Sequence, residues 1–315
     1  MAHSPKTSHE ELSRREALAL LACGTLAPGA MARAAASAPM KTKTSMITRP
    51  IPSSDEPLPV IGMGTWQTFD VSSGAARKPL EEVLSLFVSL GGRVLDSSPM
   101  YGNSETVAGD LAVQLGVRDQ LFVATKVWTS GRAAGIAQME DSERKLRGKV
   151  DLMQVHNLVD AGTHLQTLKE WKAAKRIRYI GVTHYTAGAY RALESAIRRG
   201  GIDFVQLNYS LAEREAERTL LPLCQERGIA VLVNRPFGAG SLFRDVRSKA
   251  LPPFAKDLGC TSWAELFLKF VVSHPTVTCA IPATSNPEHL RQNMNAGTGV
   301  LPDAAMRKRI VEAAG

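Results

Sequence analysis

Four residues of the 315-residue chain have the types that acid–base chemistry needs: Asp96, Tyr101, Lys126 and His156. Each lies at or just beyond the end of a short β-type run. Residues 93–96 end in Asp96 with Tyr101 five positions later, 121–126 end in Lys126, and 151–156 end in His156. Singly, each has an ordinary structural explanation: Asp96 as a helix cap, Lys126 snorkelling to solvent, Tyr101 packed in a rim, His156 satisfied in a core. Together, on successive strands, they aim a carboxylate, a phenol, an ammonium and an imidazole at one mouth, which points to a functional site. A lysine ending an apolar strand needs a counter-ion, and Asp96 on the neighbouring strand is the nearest candidate. An ammonium beside Tyr101 favours the phenolate and should lower a reference pKa of about 10, making the phenol a proton donor near neutral pH. His156 is placed to orient a carbonyl oxygen.

The elements that must hold these residues alternate regularly. Strand candidates at 93–96, 121–126, 151–156, 177–183, 203–208 and 229–234 start 28, 30, 26, 26 and 26 residues apart, the length of a strand–helix unit. Helical patterns occupy 79–90, 104–115, 133–147, 164–174, 187–199, 213–227 and 262–273, and a last strand spans 277–282. With a segment near Val60 as strand one, eight strands predict an α/β fold, a (β/α)8 TIM barrel. An N-terminal β-hairpin, residues 47–51 and 58–61, flanks a turn at 52–57. A doubly wound sheet fits less well: Gly62-Met63-Gly64 supplies only G-x-G and opens no helix. In a parallel barrel, catalytic groups sit where strands end, as these four do.

Composition excludes other classes. With 44% apolar and 22% charged residues the chain can bury a large core, and no window approaches the roughly 20 apolar residues of a membrane span. The balance of 38 Lys and Arg against 30 Asp and Glu gives +8, but the basic residues are scattered without aromatic interleaving, which disfavours nucleic acid. Residues 1–38 resemble a twin-arginine export signal: Ser13-Arg14-Arg15 precedes an Ala/Leu-rich stretch in which Ala32-Arg33-Ala34 supplies an A-x-A, with cleavage expected after Ala34 or Ala36. Residues 39–315 then form the barrel domain, exported after folding in the cytoplasm to the periplasm or beyond, with the export machinery as partner. Cys224, Cys260 and Cys279 suggest neither a disulfide framework nor a zinc site, and no paired histidine spacing suggests a metal.

From Ile47 to Ala296 the chain resembles the aldo-keto reductases. The resemblance is carried by Gly62-Met63-Gly64-Thr65-Trp66, residues 92–102 (GRVLDSSPMYG), Thr125-Lys126-Val127-Trp128, residues 151–156 (DLMQVH), residues 177–182 (IRYIGV) and residues 281–290 (IPATSNPEHL). It implies hydride transfer from a reduced nicotinamide to an aldehyde or ketone, with Tyr101 as proton donor, Lys126 and Asp96 tuning it, and His156 orienting the carbonyl. It also implies a cofactor site. Gly64, Thr65 and Asp96 lie at its base, and Thr183, His184 and Gln206 hold the nicotinamide carboxamide. Asn234, Arg235, Pro236, Phe237, Gly238 and Gly240 follow the pyrophosphate. Ala283, Thr284, Ser285 and His289 face the adenosine phosphate, while Gln292 and Asn293 reach the adenine.

Asn286 followed by Pro287 independently predicts a helix N-terminus there, a ready anion site. By family position Trp66, Met100 and Trp128 line the substrate site. Asn234 stands where many relatives place a stacking aromatic, Thr183-His184 replace a Ser-Asn pair, and Ala283 and His289 replace a lysine and an arginine. The expected cofactor is still NADPH, with NADH as the alternative, the substrate a small carbonyl compound and the protein a monomer. The rival reading is an exported nucleotide-binding sensor or auxiliary subunit with little turnover.

Overall fold

The computed structural model describes residues 45–72 and 74–315, so the export signal read at residues 1–38 lies outside the described residues. A two-stranded antiparallel hairpin comes first, β1 (Thr48–Pro50) against β2 (Pro57–Pro59). Eight parallel strands follow: β3 (Met63–Gly64), β4 (Val94–Asp96), β5 (Phe122–Val127), β6 (Leu152–His156), β7 (Tyr179–Thr183), β8 (Phe204–Asn208), β9 (Ala230–Asn234) and β10 (Val277–Ala280), hydrogen-bonded in chain order. Parallel bridges Ile61↔Ala280 and Gly64↔Ala283 join the two ends of the sheet, so the expected barrel closes.

Helices α1 (Lys78–Ser89), α2 (Ser104–Gln114), α3 (Arg132–Lys145), α4 (Ala161–Ala173), α5 (Tyr190–Arg199) and α6 (Leu220–Arg227) connect successive strands. A short α7 (Ser241–Asp245) and then α8 (Trp263–Val272) lie between β9 and β10, with α9 (Pro287–Asn295) and α10 (Ala304–Ala314) beyond. Helix starts follow local chemistry. Ser262 and Glu265 form a reciprocal capping box at α8, and the Asn286 side chain accepts from the backbone N–H of Glu288 and His289 at α9.

One expectation needs correction. Residues 58–61 do not serve both as second hairpin strand and as first barrel strand; β2 ends at Pro59, and the barrel wall begins with the Ile61 bridge and β3. The hairpin needs an antiparallel partner and the wall a parallel one on each side, so one short run cannot satisfy both ladders.

Because side chains alternate along a strand, each wall strand sends every second residue toward the axis and the others toward the helices. Phe122, Leu152, Tyr179 and Phe204 form an inner cluster with Ile51 and Leu58 of the hairpin, while Val123, Met153, Ile180 and Val205 belong to the outer layer. The hairpin turn seals this end, with the Tyr179 hydroxyl 2.5 Å from Glu56 Oε2 and 2.7 Å from Ser54 Oγ. Four residues along β5, Lys126 shares the parity of Phe122; Gln154 and His156 share that of Leu152, and Gln206 that of Phe204. The apolar inner floor thus gives way to polar side chains toward the C-terminal mouth.

Candidate active site

At the mouth the expected charge pair is present. Lys126 is fully buried, and its Nζ donates to Asp96 Oδ2 at 2.6 Å and to the Ser97 carbonyl at 2.7 Å. Burial opposes the ammonium, yet Asp96 foremost and Tyr101 after it raise the Lys126 pKa above its ordinary value, so the group stays charged. Asp96 Oδ1 accepts from Gln154 Nε2 at 3.0 Å and Gln206 Nε2 at 2.9 Å. Gln206 Oε1 in turn accepts from Thr183 Oγ1 at 3.2 Å and Asn234 Nδ2 at 3.3 Å. A continuous amide network therefore joins β9, β8 and β6 to the ion pair. Thr65 is buried beside it and donates to Ser97 Oγ at 2.8 Å, while Gly64 pairs with Asp96 in the ladder.

Tyr101 reaches this group from the loop after β4, its ring centroid 5.0 Å from Lys126 Nζ and 6.0 Å from the His156 ring at 85°. The loop is pinned by Asp70, whose Oδ1 accepts from Asn103 N at 2.9 Å, and Gly102 holds a left-handed φ of 57° there. The expected lowering of the Tyr101 pKa is corrected: burial pushes the phenol above its ordinary value of 10. Lys126 pulls it down and Asp96 pushes it up, and desolvation wins. Tyr101 is thus firmly protonated at neutral pH. His156 is 5% exposed, and burial, then Lys126 and His184, lower its pKa to about 3, so the imidazole is neutral. Its Nδ1 lies 3.0 Å from the Ser98 hydroxyl.

The remaining residues surround this centre. Trp66, Met100 and Trp128 are 49%, 42% and 41% exposed, an open apolar rim, with the Trp128 ring 6.4 Å from His156. His184 Nδ1 accepts from Tyr185 N at 3.0 Å and burial lowers its pKa, which leaves the proton on Nε2. Asn234 brings an amide rather than a ring to this position, its Nδ2 donating to Gln206 Oε1. It ties strand ends together, donating also to the His184 carbonyl at 3.2 Å, and its buried Oδ1 has no partner among the described residues.

In the loop after β9, Arg235, Gly238, Ala239 and Gly240 all have left-handed φ, a compact turn in which the Gly238 and Gly240 N–H groups already donate to the Arg235 and Phe237 carbonyls. Arg235 Nη1 meanwhile donates to the Tyr185 carbonyl at 3.0 Å; Pro236 is buried and Phe237 half-buried. Around the start of α9, Ala283, Ser285 and His289 are exposed, Thr284 and Asn293 buried, and Gln292 half-buried. Two of the first N–H groups of α9 are taken by Asn286, so the helix end is less free for an anion than its sequence suggests. The uncharged hydroxyl, imidazole and amide groups at β7–β9 suit a neutral carboxamide, and the β9 loop and α9 suit phosphates; these residues fit a nicotinamide nucleotide.

Gln154 and Ser98 escaped the reading of strand ends. The signal for Gln154 was parity, two residues before His156 on the same face; Ser98 had none, because its partner lies 58 residues away.

The comparisons with known proteins agree with this arrangement. The profile of the Aldo/keto reductase family matches residues 60–313. A methylglyoxal reductase, YeaE, of Escherichia coli (strain K12) is 28% identical over 251 residues, covering 76% of this chain and 86% of the relative. The 9,11-endoperoxide prostaglandin H2 reductase of Trypanosoma cruzi (strain CL Brener) is 26% identical over 261 residues, covering 80% and 86%. The crystal structure of an aldo-keto reductase from Klebsiella pneumoniae in complex with NADPH superposes with a TM-score of 0.70 at 26% identity, covering 84% of this chain and 94% of that one. Barrel, mouth and family profile lead to one assignment: this chain belongs to the aldo/keto reductase family.

Proposed function

We propose that this protein reduces aldehydes or ketones to alcohols with NADPH. The observation that carries the reading is the buried Lys126–Asp96 pair at 2.6 Å beside the protonated Tyr101 and the neutral His156. A bound reduced nicotinamide supplies the hydride to the carbonyl carbon. Tyr101 gives its proton to the carbonyl oxygen, and the phenolate left behind is stabilised by the Lys126 ammonium, itself held charged by Asp96. His156 is the second donor, orienting the carbonyl oxygen while unable to compete as an acid.

Thr183, His184 Nε2 and the Gln206–Asn234 amides hold the carboxamide end. The left-handed loop 235–240 and the start of α9 take the phosphates, with Ala283 to Ser285 and His289 nearest the adenosine phosphate. The NADPH complex of the Klebsiella pneumoniae relative supports that nucleotide as the cofactor. The open rim of Trp66, Met100 and Trp128 suits small and aromatic carbonyl compounds, and the E. coli relative's name supports reactive dicarbonyls among them. The Arg14-Arg15 segment supports export of the folded protein with its nucleotide already bound.

The test is NADPH oxidation by the purified full chain with methylglyoxal and an aromatic aldehyde, beside Tyr101→Phe. Turnover that falls at least a hundredfold in the variant is the expected result. NADPH binding without turnover in either protein would overturn the reading in favour of nucleotide sensing.

A further inference from the structure

We infer that Ser98 is a positioning residue whose hydroxyl fixes His156 as the tautomer protonated at Nε2, so that the imidazole presents a donor to the substrate carbonyl. The inference rests on the carbonyl-reductase reading and deepens it. Ser98 follows the buried run that ends β4 and is itself fully buried; His156, two strands away in the wall, is nearly so. Their contact, Ser98 Oγ to His156 Nδ1 at 3.0 Å, admits two arrangements. If Nδ1 carried the hydrogen and donated to the serine, the serine's own hydrogen would be buried with no acceptor among the described residues. The bare Nε2 lone pair would then face the mouth and repel a carbonyl oxygen.

If the serine donates, its hydrogen is satisfied, Nδ1 accepts, and the hydrogen resides on Nε2, where no described protein group claims it. A buried donor without an acceptor is costly, so the second arrangement prevails. Backbone geometry favours it too. Ser98 Oγ accepts weakly from Met100 N at 3.5 Å, which leaves its hydrogen as the group to be placed, and the Ser98 carbonyl accepts from Tyr101 N at 3.0 Å. The residue that sets the imidazole tautomer therefore also anchors the turn carrying the phenol.

The full chain labelled with 15N-histidine, its His156 signals identified by their loss in His156→Gln, tests this without substrate. Protonated Nε2 and unprotonated Nδ1 are expected in the wild type. Ser98→Ala should disturb that pattern and lower kcat about tenfold at unchanged NADPH affinity, and Ser98→Thr, which keeps the hydroxyl, should restore both. A wild-type ring protonated at Nδ1 overturns the inference. So does a Ser98→Ala variant in which spectrum and kcat fail to change together, since a merely structural serine would move activity without moving the tautomer. If Ser98→Ala does not fold, the wild-type spectrum and the Ser98→Thr variant decide alone. Absence of carbonyl reduction in the wild type sinks the proposed function, while the spectrum still reports the tautomer.

Discussion

Replacing Lys126 by Met removes the only cation within hydrogen-bonding distance of Asp96 among the described residues and leaves the carboxylate in place. At 2.6 Å and an effective dielectric constant of about 20, the attraction between the two charges is about 6 kcal/mol before desolvation is subtracted. Desolvation offsets most of it, so the intact pair contributes little net stability. Breaking it is different: Asp96 keeps the two amide donors on Oδ1 but Oδ2 loses its ammonium in a site closed to water. Such a loss costs roughly 3–5 kcal/mol. For a domain of this size that lowers Tm by roughly 5–9 °C, readable by circular dichroism at pH 7. The double variant Lys126→Met/Asp96→Leu removes the stranded charge and should recover part of the loss, but not all, because Gln154 and Gln206 then lose their acceptor. A Lys126→Met protein within 2 °C of wild type, or a double variant whose loss equals the sum of the two single losses, would refute the reasoning.

Further predictions concern the imidazole and the Tyr101 turn. His156 has an ordinary pKa of 6.5 and a native one of about 3, so the unfolded chain binds a proton that the folded site refuses. Its stabilising effect is therefore complete above pH about 6.5 and shrinks as pH falls toward 3, by ~3 kcal/mol at pH 4. Urea midpoints measured from pH 7 to pH 4 should fall more steeply for wild type than for His156→Gln, and parallel curves would remove this account. Gly102→Ala places a Cβ against the Asp70 carboxylate at a φ of 57°. It should cost roughly 1–3 kcal/mol and lower kcat without changing NADPH affinity, because the displaced turn carries Tyr101; unchanged stability and kcat would show that the turn tolerates the side chain.

The repeat of strand and helix, the barrel class and the four polar residues at strand ends were legible because each depends on local pattern: period-2 alternation, strand spacing and a helix cap are written in neighbouring residues. The same holds for the start of α9, where Asn286 and Pro287 act within one turn. The division of 57–64 into a hairpin strand and a barrel strand was not legible, since it depends on partners at 48–50, 94–96 and 280–283 that claim the two halves in opposite senses. Nor was the direction of the Tyr101 shift. A neighbouring ammonium is visible in sequence, but the water excluded around a phenol is a sum over every element that packs on it, and here that sum exceeds the ion. The network from Asn234 through Gln206 to Asp96 joins residues up to 138 positions apart in a chain whose sequence orders only neighbours. Sequence thus set which groups arrive at the mouth, and closure of the barrel decided their protonation, their tautomers and their partners, because desolvation and hydrogen-bond pairing are properties of the assembled interior.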